Sequence, residues 1–152
     1  MKKLALLLSL ITCPLLAQTT TAESGKEDVA VRASVNKLFD GMKKADSTML
    51  KELFTPSARL QTVANKEGNV SIQEDAIGKF ISSVGKAKAG ALDERLSGMD
   101  IKIDGELATA WTPYSFYYDG QQRHCGVNAF TLVKIGGVWK IHTIIDTRRK
   151  CL

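Results

Sequence analysis

From Met99 to Arg148 apolar and polar residues alternate with the two-residue period of strands, and glycine-bearing dipeptides cut the run into pieces. The pieces are Met99–Ile103, Leu107–Tyr118, His124–Ile135 and Val138–Thr147, a β-meander. The dipeptides are Asp104-Gly105, Asp119-Gly120 and Gly136-Gly137, which supply the positive φ of tight hairpins.

Hairpin parity then assigns faces. With Gly136-Gly137 as a two-residue loop, Ile135 opposes Val138, Leu132 opposes Ile141, and Phe130 opposes Thr143. The same parity carried across Asp119-Gly120 groups Trp111, Ser115 and Tyr117 with His124, Asn128, Thr143 and Thr147 on the inner face. Tyr114, Phe116, Cys125, His142, Asp146 and Arg148 fall on the other face. A bulge would exchange part of this assignment. Both faces carry apolar groups, which implies helices over one and another subunit over the other.

Upstream the period lengthens. Val31, Val35, Leu38, Phe39 and Met42 recur at helical spacing and predict a helix over Glu27–Lys44. Asp46 is placed to cap a second helix whose apolar side is Met49, Leu50, Leu53 and Phe54, and Thr55-Pro56 ends it. Arg59–Ala64 reads as a short strand and Asn65–Asn69 as a turn. Ser71-Ile-Gln-Glu74 has the form of a capping box and predicts a third helix through Ser83, with Ile77, Phe80, Ile81 and Val84 buried. Gly85–Gly90 is a Lys- and Gly-rich loop, and Ala91–Ser97 would extend the first meander strand through a bulge at Gly98. The fold class is therefore α+β: a curved mixed or antiparallel sheet forming a cone, covered by three N-terminal helices. Such a cone opens between helices and sheet, where a small-molecule site is natural.

The first residues do not belong to that pattern. Met1-Lys2-Lys3, the apolar Leu4–Ile11 and Leu15-Leu16-Ala17 read as a secretory signal peptide over 1–17, too short to span a bilayer, with a cut after Ala22 as the alternative. Residues 18–26 are polar and predict a flexible arm, leaving 27–152 as a single domain. The expected location is periplasmic or secreted, with no membrane association after cleavage. Losing Lys2 and Lys3 takes Lys plus Arg from 21 to 19 against 16 acids, so the net charge falls from +5 to +3. That mild excess has no basic run interleaved with aromatics, and nucleic acid is not an expected partner.

Cleavage also removes Cys13 and leaves Cys125 and Cys151. A pair of cysteines in an oxidising compartment favours a disulfide, and reversal of the chain after Arg149 could bring Cys151 over Cys125. Free thiols and a bridge between subunits are the alternatives. The cysteines and histidines are too scattered for a metal site, and no cofactor is expected.

The element order, with Asp46-xxx-Leu50-xx-Leu53-Phe54-x-Pro56-x-Ala58 and Gly137-x-Trp139-Lys-Ile141, resembles the nuclear transport factor 2-like superfamily. This is also called the SnoaL-like or ketosteroid isomerase-like fold. The resemblance is strongest to its secreted bacterial branch known as putative lumazine-binding proteins, and covers Asp28 to Arg149. It implies a homodimer through the outer sheet face. It does not imply one activity, since the superfamily includes isomerases, dehydratases, cyclases and proteins without chemistry. The isomerase tyrosine and carboxylate base would fall near Leu38 and Thr62, and neither residue can do that work.

Candidate ligand-binding residues are then Trp111, Tyr117, His124, Asn128 and Thr143. Trp111 and Tyr117 offer stacking surface, His124 is the acid–base candidate, and a buried Asn128 must find partners. Asp146 and Arg148 read as an ion pair at the rim or interface. The leading expectation is a secreted binder of a small apolar or aromatic ligand. An enzyme of hydrolase or dehydratase type using His124 with Asn128 or Asp146, or a non-catalytic dimeric interaction module with a filled cone, are the alternatives.

Overall fold

The structure, a computed structural model, describes residues 17–151. The expected signal peptide therefore lies almost wholly outside the described residues. Helix α1 runs Ala17–Lys44, and residues 18–26, expected as a flexible arm, are helical. Its apolar stripe is buried as predicted: Val31 and Val35 are fully covered, and Leu38, Phe39 and Met42 nearly so. Helix α2, Ser47–Lys51, is capped by Asp46, whose Oδ1 accepts from the Met49 amide at 2.9 Å. Gly41 lets α1 and α2 meet, because a Cβ there would stand 2.6 Å from the Leu50 side chain.

Next comes a hairpin where a helix was expected. Strand β1 spans Phe54–Lys66 and β2 spans Asn69–Asp75, paired antiparallel from Leu60↔Asp75 to Lys66↔Asn69. The loop is Glu67-Gly68, both with positive φ, and Asn65 Oδ1 accepts from the Gly68 amide. The Ser71…Glu74 motif is therefore not a capping box. Glu74 instead pairs across the hairpin with Arg59 and accepts from Gln61. Ladder hydrogen bonds along seven residue pairs outweigh the one or two that a cap would satisfy. Helix α3 starts later, at Ile77–Lys86, and its N-cap Ala76 makes no side-chain cap bond. Ile81 and Val84 are buried on it, with Ile77 and Phe80 packed alongside.

The remaining strands are β3 (Leu92–Leu96), β4 (Asp100–Asp104), β5 (Leu107–Tyr118), β6 (Gln121–Ile135) and β7 (Val138–Arg149). The open sheet runs β2-β1-β7-β6-β5-β3, with β4 also pairing β5. Both β3 and β4 thus lie along one edge of β5, separated by the break at Gly98 that the sequence suggested. Among the described strands only β1 and β7 pair in parallel. The sheet curls around the helices, and the core fills the narrow end between Val31, Val35, Leu50, Ile141, Leu132 and Phe130. The Cys125–Cys151 disulfide is formed within the chain and fastens the C-terminus to β6.

Two irregularities decide the faces. The β5–β6 register shifts between Phe116 and Tyr117, so Phe116 opposes His124 and Tyr117 opposes Gln122. The β6–β7 register shifts between Thr131 and Leu132, leaving His142 without a partner, so Phe130 opposes Ile144 and Asn128 opposes Asp146. Each shift flips the side chains beyond it.

Candidate functional site

The shifts turn part of the expected site inside out. The inner face beyond them carries Tyr114 and Phe116 from β5, His124 and Asn128 from β6, and Ile144, Asp146 and Arg148 from β7. Trp111, Tyr117 and Thr143 are on the outer face, which corrects their expected place in the pocket. Trp111 is 55 % exposed, and it shares an outer groove with Thr143. Tyr117 lies under the Arg95 guanidinium, 4.1 Å from its ring centre. His124 and Asn128 are on the inner face as expected.

Together the inner residues wall a cavity of about 520 Å³. Its apolar side is Leu38, Phe39 and Met42 of α1, Phe80 and Val84 of α3, and Leu92, Phe116, Phe130 and Ile144 of the sheet. A cone filled by its own side chains would leave no such space between α1, α3 and the sheet. The polar side is two hydrogen-bonded sets, one around Tyr114 and Asp146 and one around Asn128. The Tyr114 hydroxyl is 3.2 Å from His124 Nδ1, 3.1 Å from the Thr147 carbonyl and 3.4 Å from Asp146 Oδ2. Arg148 Nε donates to the same Oδ2 at 3.0 Å, and its Nη2 donates to Thr62 Oγ1 at 3.2 Å. Asn128 Nδ2 donates to Glu94 Oε1 at 2.8 Å and to Thr112 Oγ1 at 3.3 Å.

The cluster depends on a glycine. Gly126 opposes Tyr114, and a Cβ there would stand 1.9 Å from the Thr147 carbonyl and 2.8 Å from the Tyr114 hydroxyl. Only a residue without a side chain lets that hydroxyl cross β6 to reach β7.

Burial shapes the titration of these groups. Removal from water, with the Asp146 charge adding to it, raises the Glu94 carboxyl to about 7 against the pull of Asn128 and Arg148. Burial and then the charges of Asp146 and Glu94 push the Tyr114 hydroxyl well above its ordinary range. Burial and then Arg148 hold the His124 imidazole below its ordinary value, with Asp146 opposing. His124 is thus neutral at neutral pH. The Thr147 carbonyl can only accept, so when the single Tyr114 proton goes there, His124 Nδ1 must be the N–H that donates to Tyr114. That tautomer leaves Nε2 with a free lone pair. The ring is also held between neighbours, stacked on Phe116 at 5.1 Å and edge-on to Tyr114 at 5.6 Å.

One atom stands apart. Asp146 is only 7 % exposed. Its Oδ2 is crowded with donors, yet its Oδ1 is buried with no hydrogen-bond partner. Buried carboxylate oxygens seldom stay unpaired. Among the described residues there is no group of three ligand-type side chains that could hold a metal.

Sequence reading placed His124 and Asn128 on the inner face, did not single out Tyr114 or Glu94, and put Asp146 and Arg148 on the opposite face. The available signal was charge inside otherwise apolar strands: Glu94 between Leu92 and Leu96, and Asp146 after Ile144-Ile145.

The same architecture recurs in known structures. A nuclear transport factor 2-like protein of unknown function from Shewanella baltica superposes with a TM-score of 0.65 at 19% identity, covering 84% of this chain and 97% of its own. A protein titled "putative dehydratase" of the same family from Streptomyces avermitilis gives 0.65 at 12% identity, over 84% and 99% of the two chains. One titled "putative scytalone dehydratase" from Novosphingobium aromaticivorans gives 0.63 at 18% identity, over 85% and 88%. At these identities the likeness is one of fold. No curated protein matches the sequence. The family model described as "Putative lumazine-binding" matches residues 26–144. With that match the chain belongs to the putative lumazine-binding family, and its cone of helices and curved sheet is the nuclear transport factor 2-like fold.

Proposed function

We propose that the protein is a secreted small-molecule binder whose ligand sits in the cavity between α1, α3 and the β5–β7 face. The observation that carries this reading is a largely apolar cavity of about 520 Å³ with Tyr114, His124, Asn128 and Arg148 placed along its polar side. The family description points the same way. The cavity's size lies within the usual range of ligand sites, roughly 300–1,000 Å³. Secretion is supported by the apolar leader and by the Cys125–Cys151 bridge, a pairing maintained in oxidising compartments. The exposed Trp111 and the groove around it favour a homodimer through the outer sheet face.

Native mass spectrometry of the protein taken from an envelope fraction tests the reading. A small mass carried by each subunit and released on denaturation is the expected result. Bare subunits that also take up no added heterocycle would overturn it.

A second reading has its own observation. His124 with a free Nε2 lone pair and Glu94 raised to about 7 form a base and an acid along one cavity wall. That pair suits proton transfer of the dehydratase or isomerase kind. His124→Ala would then abolish turnover and leave the fold intact, whereas unchanged turnover would exclude His124 as the base.

A further inference from the structure

One half-buried carboxylate on the cavity wall lacks a cation. Glu94 of β3 accepts from Asn128 Nδ2 through Oε1 at 2.8 Å, and among the described residues nothing donates to its Oε2. Unlike Asp146 Oδ1, that oxygen is not sealed off from solvent, so it keeps surface on the cavity that Glu94 lines.

The charges around Glu94 come from every neighbouring element. On β3 itself Asp93 points to the other face and is held by Lys43 of α1 and by Arg95. Strand β7 supplies Asp146 and Arg148, which balance one another at 3.0 Å. Strand β6 supplies Asn128 and neutral His124, and β5 the Tyr114 hydroxyl, which stays protonated. Asp75 after β1–β2 pairing ends and Lys86 at the end of α3 line the cavity too, both exposed. The wall thus holds the acids Asp75, Glu94 and Asp146 against the bases Lys86 and Arg148. The surplus is negative, and away from the exposed residues it rests on Glu94.

An anion entering would meet that carboxylate with no counter-charge to spare. A neutral guest would leave it either charged without a partner or neutralised by a proton. An ammonium group supplies charge and donor together. The organic part of such a cation has a suitable wall, since Phe39, Phe80, Phe116 and Tyr114 line the same space and aromatic faces attract cations.

Resting on the binding reading above, we infer that the ligand is an apolar amine whose ammonium group donates to Glu94 Oε2 while its hydrocarbon part packs against Phe39, Phe80 and Phe116.

The test is a calorimetric titration of the purified disulfide-bonded protein with three probes of matched size. These are 2-(aminomethyl)naphthalene, 2-naphthalenemethanol and 2-naphthoate. Near pH 8 the amine should bind roughly tenfold or more tighter than the alcohol, and the carboxylate should bind weakest. Burial raises Glu94 to about 7, so the ionised form that an ammonium needs is mostly present near pH 8 and mostly absent near pH 6. The amine should therefore lose about tenfold in affinity between those two values, while the alcohol changes little. In Glu94→Gln the amine should fall to the level of the alcohol, and any slope with pH that remains belongs to His124. The wild-type pH series decides the matter even if that variant fails to fold. Alcohol or naphthoate as tight as the amine, an amine affinity that ignores pH, or an unchanged slope in Glu94→Gln would overturn the ligand class while leaving the binder intact. So would a native adduct without a basic nitrogen, whereas an adduct with one would uphold it where no probe binds. No probe bound and no native adduct would overturn the binding reading itself.

Discussion

The inner and outer faces of β5, β6 and β7 are made by alternate residues of the same strands, and they have been put to opposite uses. Inside, Tyr114, Asn128 and Asp146 are buried, Tyr114 bonded to Asp146 and Asn128 to Glu94 and Thr112 across the strands. Outside, Trp111 stands 55 % exposed, and Thr131, Thr143 and Ile145 line a shallow groove beside it. The inner face keeps a cavity and holds an unsatisfied carboxylate oxygen buried beside it. The outer face shows apolar surface that a partner could cover. The contrast separates two costs. Polar groups held inside cost folding free energy unless they are hydrogen-bonded, whereas apolar groups left outside stay open to association.

The contrast would be broken most sharply at Gly126. In Gly126→Ala the new Cβ has no room between the Thr147 carbonyl and the Tyr114 hydroxyl, so β6 and β7 must part. A loss above about 3 kcal/mol is expected in urea unfolding, with loss of cavity binding. The disulfide comes next. It closes 26 residues at the outer side of β6, so replacing Cys125 and Cys151 by Ser should cost about 2–3 kcal/mol. Uptake of the small mass in native spectra should survive where the variant stays folded. If binding falls as far as stability does, the two faces are not independent.

Glu94 sharpens the comparison through pH. Its folded pKa is raised from 4.5 to about 7, so its contribution to stability is complete below the unfolded value and lost as pH rises toward and past 7. Glu94→Gln keeps an acceptor for Asn128 and removes the titration. The variant should match the wild type near pH 4 by this term and exceed it near pH 8 by about 1–2 kcal/mol, below a ceiling of about 3. Paired urea curves at the two pH values would show it, and a constant difference would refute it. The smallest expected effect on the folded chain is outside. Trp111→Ser should change stability by less than about 0.5 kcal/mol and leave ligand uptake in native spectra alone. In sedimentation it should shift the protein toward monomer, and an unchanged distribution would remove Trp111 from the interface.

Much of the framework was legible without coordinates. Leu107–Tyr118 is a strand over the predicted residues, and each meander turn has its glycine at positive φ. The α1 stripe and the Asp46 cap were equally plain, because each is a local signal. The candidate site was half legible. His124 and Asn128 were found, while Trp111, Tyr117 and Thr143 were assigned inside and lie outside. No residue pattern marked the register shifts next to Tyr117 and at His142. The Ser71…Glu74 motif failed for a related reason, since its residues suit a helix cap or a cross-strand pair, and the neighbouring β1 decided between them.

The sequence by itself determined the meander strands and their hairpins, the stripe of α1 that covers them and the pair of cysteines able to join, because those depend on neighbours within a few residues. The tertiary structure alone decided which face of each strand meets the cavity, that Glu94 from β3 would meet Asn128 from β6, and that Asp146 would be buried half-satisfied. Side-chain alternation has a period of two, so one extra residue in a strand reverses everything beyond it while leaving the local pattern unchanged.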